Sequence, residues 1–227
     1  MAFIPVIGAR FCLRPSREPR RLGAPNGSER VTFVRVVRSR FLTSCAAPSQ
    51  FPEPGPVEFV FIGRSNVGKS TLLNGLCGAR IARVSNTPGR TQLVNFFELD
   101  DGARQLRFVD LPGYGYARAP SAVRDGFERL VDGYLGAGRA RAGLVLLDAR
   151  RSPDETDGEA IAYLIERGVE PWLVVTKMDK LPKAKKKPVL QGLKAALGVE
   201  TLWPTSSLKR EGLEELREAL FSSALPG

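Results

Sequence analysis

The chain has 227 residues, 43% of them hydrophobic, enough to bury one substantial α/β core. It contains no histidine, which excludes Ser-His-Asp and Cys-His catalysis and His-ligated zinc, so any catalysis must rest on phosphate positioning, metal and backbone. Nine arginines against two glutamates put +7 of the +10 net charge in residues 1–50 and leave +3 for residues 51–227, so overall charge is weak evidence for RNA binding.

In chain order, residues 1–30 are Arg-, Pro- and Gly-containing without periodicity, and they predict a disordered basic extension. Its apolar part, Met1 to Leu13, precedes the basic part, the reverse of a secretory signal. A dispensable extension or a start placed too far upstream fits it, and an organellar transit peptide stays open. Residues 31–227 are expected to form a single domain. Pro52, Pro54 and Pro56 mark a connector into an apolar strand at 57–62.

That strand runs into Gly63-Arg64-Ser65-Asn66-Val67-Gly68-Lys69-Ser70, a complete G-x-x-x-x-G-K-S phosphate loop, and a helix is predicted over 69–78. Two glycines let backbone N–H groups curl around a β-phosphate, and the helix N-terminus adds a favourable dipole. Lys69 can reach the β- and γ-phosphate oxygens, and the Ser70 hydroxyl can ligate Mg²⁺. A chance match arises in roughly 1% of chains this long. The strand–loop–helix context lowers it further and predicts a nucleoside triphosphate site.

A polar loop is expected over 79–92, and its Thr91 is the candidate second hydroxyl ligand for Mg²⁺. Val94–Leu99 and Gln105–Val109 read as a hairpin joined at Asp100-Asp101-Gly102. The second strand ends in Asp110-Leu111-Pro112-Gly113, a D-x-x-G in which Asp110 can hold Mg²⁺ through water and the Gly113 N–H can donate to a γ-phosphate. Lys69, Asp110 and Gly113 are therefore the candidate catalytic groups.

Helices are predicted over 121–135, 154–167, 185–197 and 213–220, with strands at 144–147, 172–175 and 201–203. The alternation implies an α/β three-layer sandwich of the P-loop NTPase class, mostly parallel with one antiparallel edge strand. The strand at 172–175 ends in Thr176-Lys177-Met178-Asp179. An Asp at this place accepts hydrogen bonds from guanine N1–H and N2–H₂, and adenine would leave it unpaired. The usual motif begins with Asn, so Thr176 is a departure expected to weaken one contact to the base. Thr205, Ser206 and Ser207 could present backbone N–H groups to guanine O6. Lys177, Lys180, Lys183, Lys185, Lys186, Lys187 and Lys194 form a cluster that could touch phosphates, although such a run is more often a solvated face.

The three cysteines, Cys12, Cys45 and Cys77, are far apart and odd in number, so no disulfide framework or metal site is suggested, which fits a reducing cytosol. No apolar run approaches the length of a membrane span, so no membrane partner is expected.

The phosphate loop, Pro88-Gly89-Arg90-Thr91-Gln92, Asp110 to Ala117 (Asp-Leu-Pro-Gly-Tyr-Gly-Tyr-Ala), Thr176 to Asp179 and Ser206-Ser207-Leu208-Lys209 together resemble the EngB family, bacterial GTPases of the translation-factor-like class. The likeness runs from about Phe41 to Phe221. It implies a single GTPase domain that binds GTP and GDP and assists assembly of the large ribosomal subunit, with rRNA and ribosomal proteins as partners. It also implies a need for the protein in cell division and septation. The resemblance places the metal ligands at Ser70 and Thr91, and the nucleotide contacts at the phosphate loop, Gly89, Arg90, Thr91, Gln92, Leu93, Asp110–Gly113, Thr176–Asp179 and Thr205–Ser207. A bacterial cytoplasmic monomer is the expectation, and organelle relatives keep an organelle matrix open.

Many switch GTPases orient the attacking water with a Gln after the D-x-x-G glycine; here Tyr114 stands there, so slow intrinsic hydrolysis is expected. In related GTPases lacking that Gln, an Asn at the place of Asn66 can help hold a potassium ion beside the phosphates. Two other readings stay open on sequence alone: a ribosome-binding module whose nucleotide is mainly structural, and an ATP-using P-loop enzyme, against which Asp179 argues.

Overall fold

The structure is a computed structural model that describes residues 34–82, 93–113 and 121–224, with backbone only for residues 121–128. Seven strands form one sheet: β1 (Arg38–Cys45), β2 (Val57–Gly63), β3 (Val94–Asp100), β4 (Gln105–Asp110), β5 (Ala140–Asp148), β6 (Glu170–Thr176) and β7 (Trp203–Pro204). Five helices accompany them: α1 (Lys69–Cys77), α2 (Ser121–Gly136), α3 (Glu155–Glu166), α4 (Lys183–Leu197) and α5 (Leu213–Ser223).

The strand order is β1-β3-β4-β2-β5-β6-β7. From β4 through β7 every pairing is parallel, whereas β3 pairs antiparallel with both β4 and β1. The mostly parallel sheet with its antiparallel strand toward one edge is the expected architecture. Beyond it, β1 lies on the outer side of β3, and alternation did not delimit it because only its last residue, Cys45, is buried.

Period-2 geometry sends successive β2 side chains to opposite faces. Phe59 and Phe61 enter a core with Leu72, Leu73 and Leu76 of α1 and Leu216, Leu220 and Phe221 of α5. Val60 and Ile62 face Leu130, Val131 and Tyr134 of α2 and Leu164 of α3. Both faces of β2 are thus covered, which is why its sequence is continuously apolar rather than alternating. α3 begins with Asp154 as N-cap, whose carboxylate accepts from the Thr156 and Asp157 backbone N–H groups.

Several element boundaries differ from those expected. β5 extends well outside the expected 144–147, and α4 starts at Lys183 rather than Lys185. β7 lies at 203–204 rather than 201–203, where Trp203 stacks on Trp172 of β6 with ring centroids 5.5 Å apart.

At the N-terminal end of β2, Glu58 is buried and accepts from Arg107 (2.9 Å), Arg139 (2.6 Å) and the Tyr134 hydroxyl (2.9 Å). The same two guanidiniums hold the Glu53 and Pro52 carbonyls of the proline connector. This network pins the start of β2 and thereby the strand that carries the phosphate loop at its other end.

Candidate nucleotide site

The site forms where β2, β4, β6 and β7 all end, the carboxyl edge at which open parallel sheets leave a crevice. Gly63 closes β2, Arg64 to Val67 turn the chain, and Gly68 (φ 107°) leads into α1 at Lys69. Asn66 is also left-handed, at φ 63°, a conformation that asparagine tolerates better than most residues. The Val67 side chain enters the core, so this residue can meet a ligand only through its backbone.

Lys69 forms an ion pair with Asp110, and both side chains are nearly buried, 10% and 5% exposed. The pair joins the phosphate loop to the end of β4. Three residues on, a Cβ on Gly113 would lie 3.0 Å from the Gly63 carbonyl and 3.4 Å from the Ser65 nitrogen. A larger residue would require the phosphate-loop backbone to give by a few tenths of an ångström for the D-x-x-G turn to lie this close. Leu111 and Pro112 are buried, with Leu111 in the core, so they shape the turn rather than offering side chains to a ligand.

Gly89, Arg90, Thr91 and Gln92 lie outside the described residues, as do Tyr114 to Ala117. Leu93, at the border of that loop, is exposed. Ser70, in the first turn of α1, is half-buried. Among the described residues no group of three or more His, Cys, Asp or Glu could hold a metal by itself. One hydroxyl from Ser70 and one carboxylate from Asp110 instead fit Mg²⁺, a hard cation usually held by one or two protein oxygens, phosphates and water.

At the end of β6, Thr176 is buried and its hydroxyl lies 2.7 Å from the Val67 carbonyl and 3.1 Å from the Leu147 carbonyl. A hydroxyl has one hydrogen, so the nearer Val67 oxygen is the main acceptor. The Thr176 side chain thus ties the end of β6 to the phosphate loop and to β5. Lys177, at φ 60°, reaches back over the phosphate loop and donates to the Asn66 carbonyl at 2.6 Å and to Asp148 at 2.9 Å. Met178 packs its side chain into a small core cluster with Val175 and Leu193.

The Asp179 side chain is 6% exposed and accepts from the Ser206 hydroxyl at 2.7 Å. That hydrogen bond holds the Asp179 carboxyl below the usual carboxylate range. The Ser206 hydroxyl oxygen in turn accepts from the Lys209 backbone N–H at 3.1 Å, which fixes its rotamer. Thr205 is buried against β6 through its backbone N–H to the Val175 carbonyl, 2.7 Å. Ser207 is half-buried and sits near Gly75 of α1.

Three side chains escaped the sequence reading. Asp148, at the end of β5, holds both Lys177 and Arg150. Asp154 pairs with Arg64 of the phosphate loop while capping α3. Ser206 was expected to act through its backbone, yet its side chain orients Asp179. For Asp148 the available signal was an acidic residue closing a buried parallel strand.

The family model described as 50S ribosome-binding GTPase matches residues 58–177. A "Probable GTP-binding protein EngB" of Anaeromyxobacter sp. strain K is 41% identical over 201 residues, covering 84% of this chain and 93% of its own. Its Myxococcus xanthus counterpart is 38% identical over 84% of this chain and 97% of its own. A crystal structure of a probable GTP-binding protein engB shares the fold with a TM-score of 0.58 at 23% identity, covering 74% of this chain and 98% of that one. Era in complex with MgGDPNP and 16S ribosomal RNA nucleotides shares it at 0.65 and 24% identity, over 75% of this chain and 57% of that one. A phosphate-loop sequence, a D-x-x-G turn and the Asp179–Ser206 pair assembled at one sheet edge, in a sequence this similar to these relatives over most of its length, lead to one conclusion: the chain belongs to the EngB family of GTP-binding proteins.

Proposed function

We propose that this EngB-family GTPase is a switch that binds GTP, hydrolyses it slowly on its own, and in its GTP form docks on precursors of the large ribosomal subunit to assist their assembly. By that route it supports normal cell division and septation, acting as a monomer in the bacterial cytoplasm. The observation that carries the nucleotide part is the convergence of Lys69, Asp110 and Gly113 with the Asp179–Ser206 pair at one sheet edge.

In this reading Lys69 moves from Asp110 to the β- and γ-phosphates when nucleotide enters, exchanging one anion for another. Gly113 donates its N–H to the γ-phosphate, and Asp179 accepts from guanine N1–H and N2–H₂. Ser70 and Thr91 would hold Mg²⁺, with Asp110 contacting it through water. Bound there, Mg²⁺ neutralises charge on the phosphate oxygens.

Co-sedimentation of the chain with large ribosomal subunits tests the docking part. Binding with a non-hydrolysable GTP analogue and release with GDP is the expected outcome. Equal absence of binding in both states would remove the ribosomal role, and preference for ATP in a competition assay would remove the guanine reading.

A further inference from the structure

Between Lys180 and Val199 the chain carries six lysines and no acidic residue. Residues 180–211 hold eight basic and two acidic side chains, a net +6, so the rest of residues 51–227 carries −3. The balanced charge of this body therefore conceals a basic face set against an acidic remainder.

α4 buries Leu193 against Ala149, Val175 and Met178 and turns its other side outward. Lys183, Lys185, Lys187 and Lys194 are all exposed. Lys186 is committed to Glu211 at 2.8 Å, but none of those four has a carboxylate at ion-pair distance among the described residues. Lys183, Lys187 and Lys194 recur at helical spacing and form a row about 16 Å long. The Lys186–Glu211 pair brings this row beside the loop that carries Lys209, Arg210 and Leu208, which is 74% exposed.

The arrangement works against the helix that bears it. α3 and α5 open with acidic residues, as the positive end of a helix dipole favours, whereas the first turn of α4 has lysines and no acid. Among the described residues no carboxylate offsets the charges of Lys183, Lys185 and Lys187, and an external polyanion would. The face offers point charges and a single exposed apolar side chain, without the aromatic anchors that protein interfaces concentrate. Phosphodiester is the chemistry that it fits.

We infer that the lysine row of α4, with Lys209 and Arg210, is the surface through which this chain grips the RNA backbone of the large ribosomal subunit; the inference rests on the ribosomal docking proposed above. The face adjoins the base-reading side of the site, since the Lys209 N–H holds Ser206 and Ser206 holds Asp179. GTP and GDP carry the same base, so this contact should contribute equally in both states. The γ-phosphate dependence of docking must then come from another surface.

The test is binding of the full chain to large ribosomal subunits and to protein-free large-subunit rRNA, loaded with GTP analogue or GDP, across a salt series. The variant is Lys183→Glu/Lys187→Glu, the two members of the row in the first half of α4. It should lose at least tenfold in affinity for both targets, by the same factor in both nucleotide states, and its salt slope should fall by about 2. Thermal stability should hold or rise, because the new acids suit the helix N-terminus, so lost binding would not reflect unfolding. Wild-type-like binding by the variant would overturn the inference while leaving the ribosomal reading intact. Loss confined to whole subunits, with free rRNA bound as by wild type, would overturn it in favour of a ribosomal protein contact. If the wild-type chain binds neither target, the ribosomal reading itself fails, and the inference with it.

Discussion

Thr176 donates its hydroxyl proton to the Val67 carbonyl across 2.7 Å, joining the last residue of β6 to the phosphate loop that follows β2. Both groups are buried, so the bond lies where water cannot replace it. Thr176→Val keeps the shape and removes the donor, leaving a buried carbonyl short of a partner. The expected cost is about 1–3 kcal/mol of stability. GTP affinity should fall as well, because β6 and the phosphate loop lose their register. Calorimetry and nucleotide titration of the same variant would check both, and an unchanged melting temperature would contradict the tie.

The base-side pair yields a graded prediction. Asp179→Asn turns one acceptor into a donor and should lower GTP affinity at least 100-fold while raising affinity for xanthosine triphosphate. Ser206→Ala keeps the acceptor but frees its rotamer, so the expected loss is about 1 kcal/mol, roughly fivefold. Equal losses in the two variants would mean that Ser206 reads the base rather than positioning Asp179.

Asp148 provides a pH signature. Burial pushes its carboxyl up, but hydrogen bonds from Arg150 and Lys177 outweigh that and hold it well below the usual carboxylate range. A depressed folded-state pKa means that its contribution is present above the unfolded value of about 3.9 and fades as pH falls below it. Asp148→Asn should therefore lower the melting temperature at pH 7, with the gap from wild type closing below about pH 4. A gap that stays constant down to pH 2 would show that the charge of Asp148 does not matter.

Glu58 separates fold from function. Glu58→Ala leaves Arg139 and the Tyr134 hydroxyl without their carboxylate in a buried setting, whereas Arg107 keeps Glu98 at 3.0 Å, so the expected cost is about 3 kcal/mol. Because Glu58 sits at the far end of β2 from the phosphate loop, GTP affinity of the folded fraction should stay within about twofold of wild type. Denaturant unfolding and GTP titration at low temperature would measure the two effects separately.

Asn66 is exposed, left-handed at φ 63°, and gives its carbonyl to Lys177. Among the described residues no hydrogen bond engages its side chain, and we propose that it helps to hold a monovalent cation beside the phosphates. GTP turnover should then be faster in potassium than in sodium at equal ionic strength, and Asn66→Ala should abolish the difference. Equal rates in the two salts, with and without ribosomal subunits, would leave Asn66 as a turn residue only.

The strand–loop–helix of the phosphate loop, the D-x-x-G turn and the strand end that carries Asp179 were legible in the chain because each is a contiguous run whose spacing follows from backbone geometry. Two glycines, a lysine and a hydroxyl at fixed offsets can do their work only between a strand and a helix, and apolar runs on either side supply both. The alternation of strands and helices likewise determined a mostly parallel sheet, since each crossover helix must cover a face. What the chain could not declare is pairing between distant positions. The fold sets Thr176 2.7 Å from Val67, 109 residues away in sequence. Asp148, Asp154 and Glu58 read as ordinary acids, and only the tertiary structure gave them Lys177, Arg64 and Arg107 as partners. Charge pairing depends on distance in space, and local periodicity carries no record of it. β1 stayed undelimited for the same reason: an edge strand with only its last residue buried owes its existence to hydrogen bonds with β3 rather than to an apolar pattern of its own.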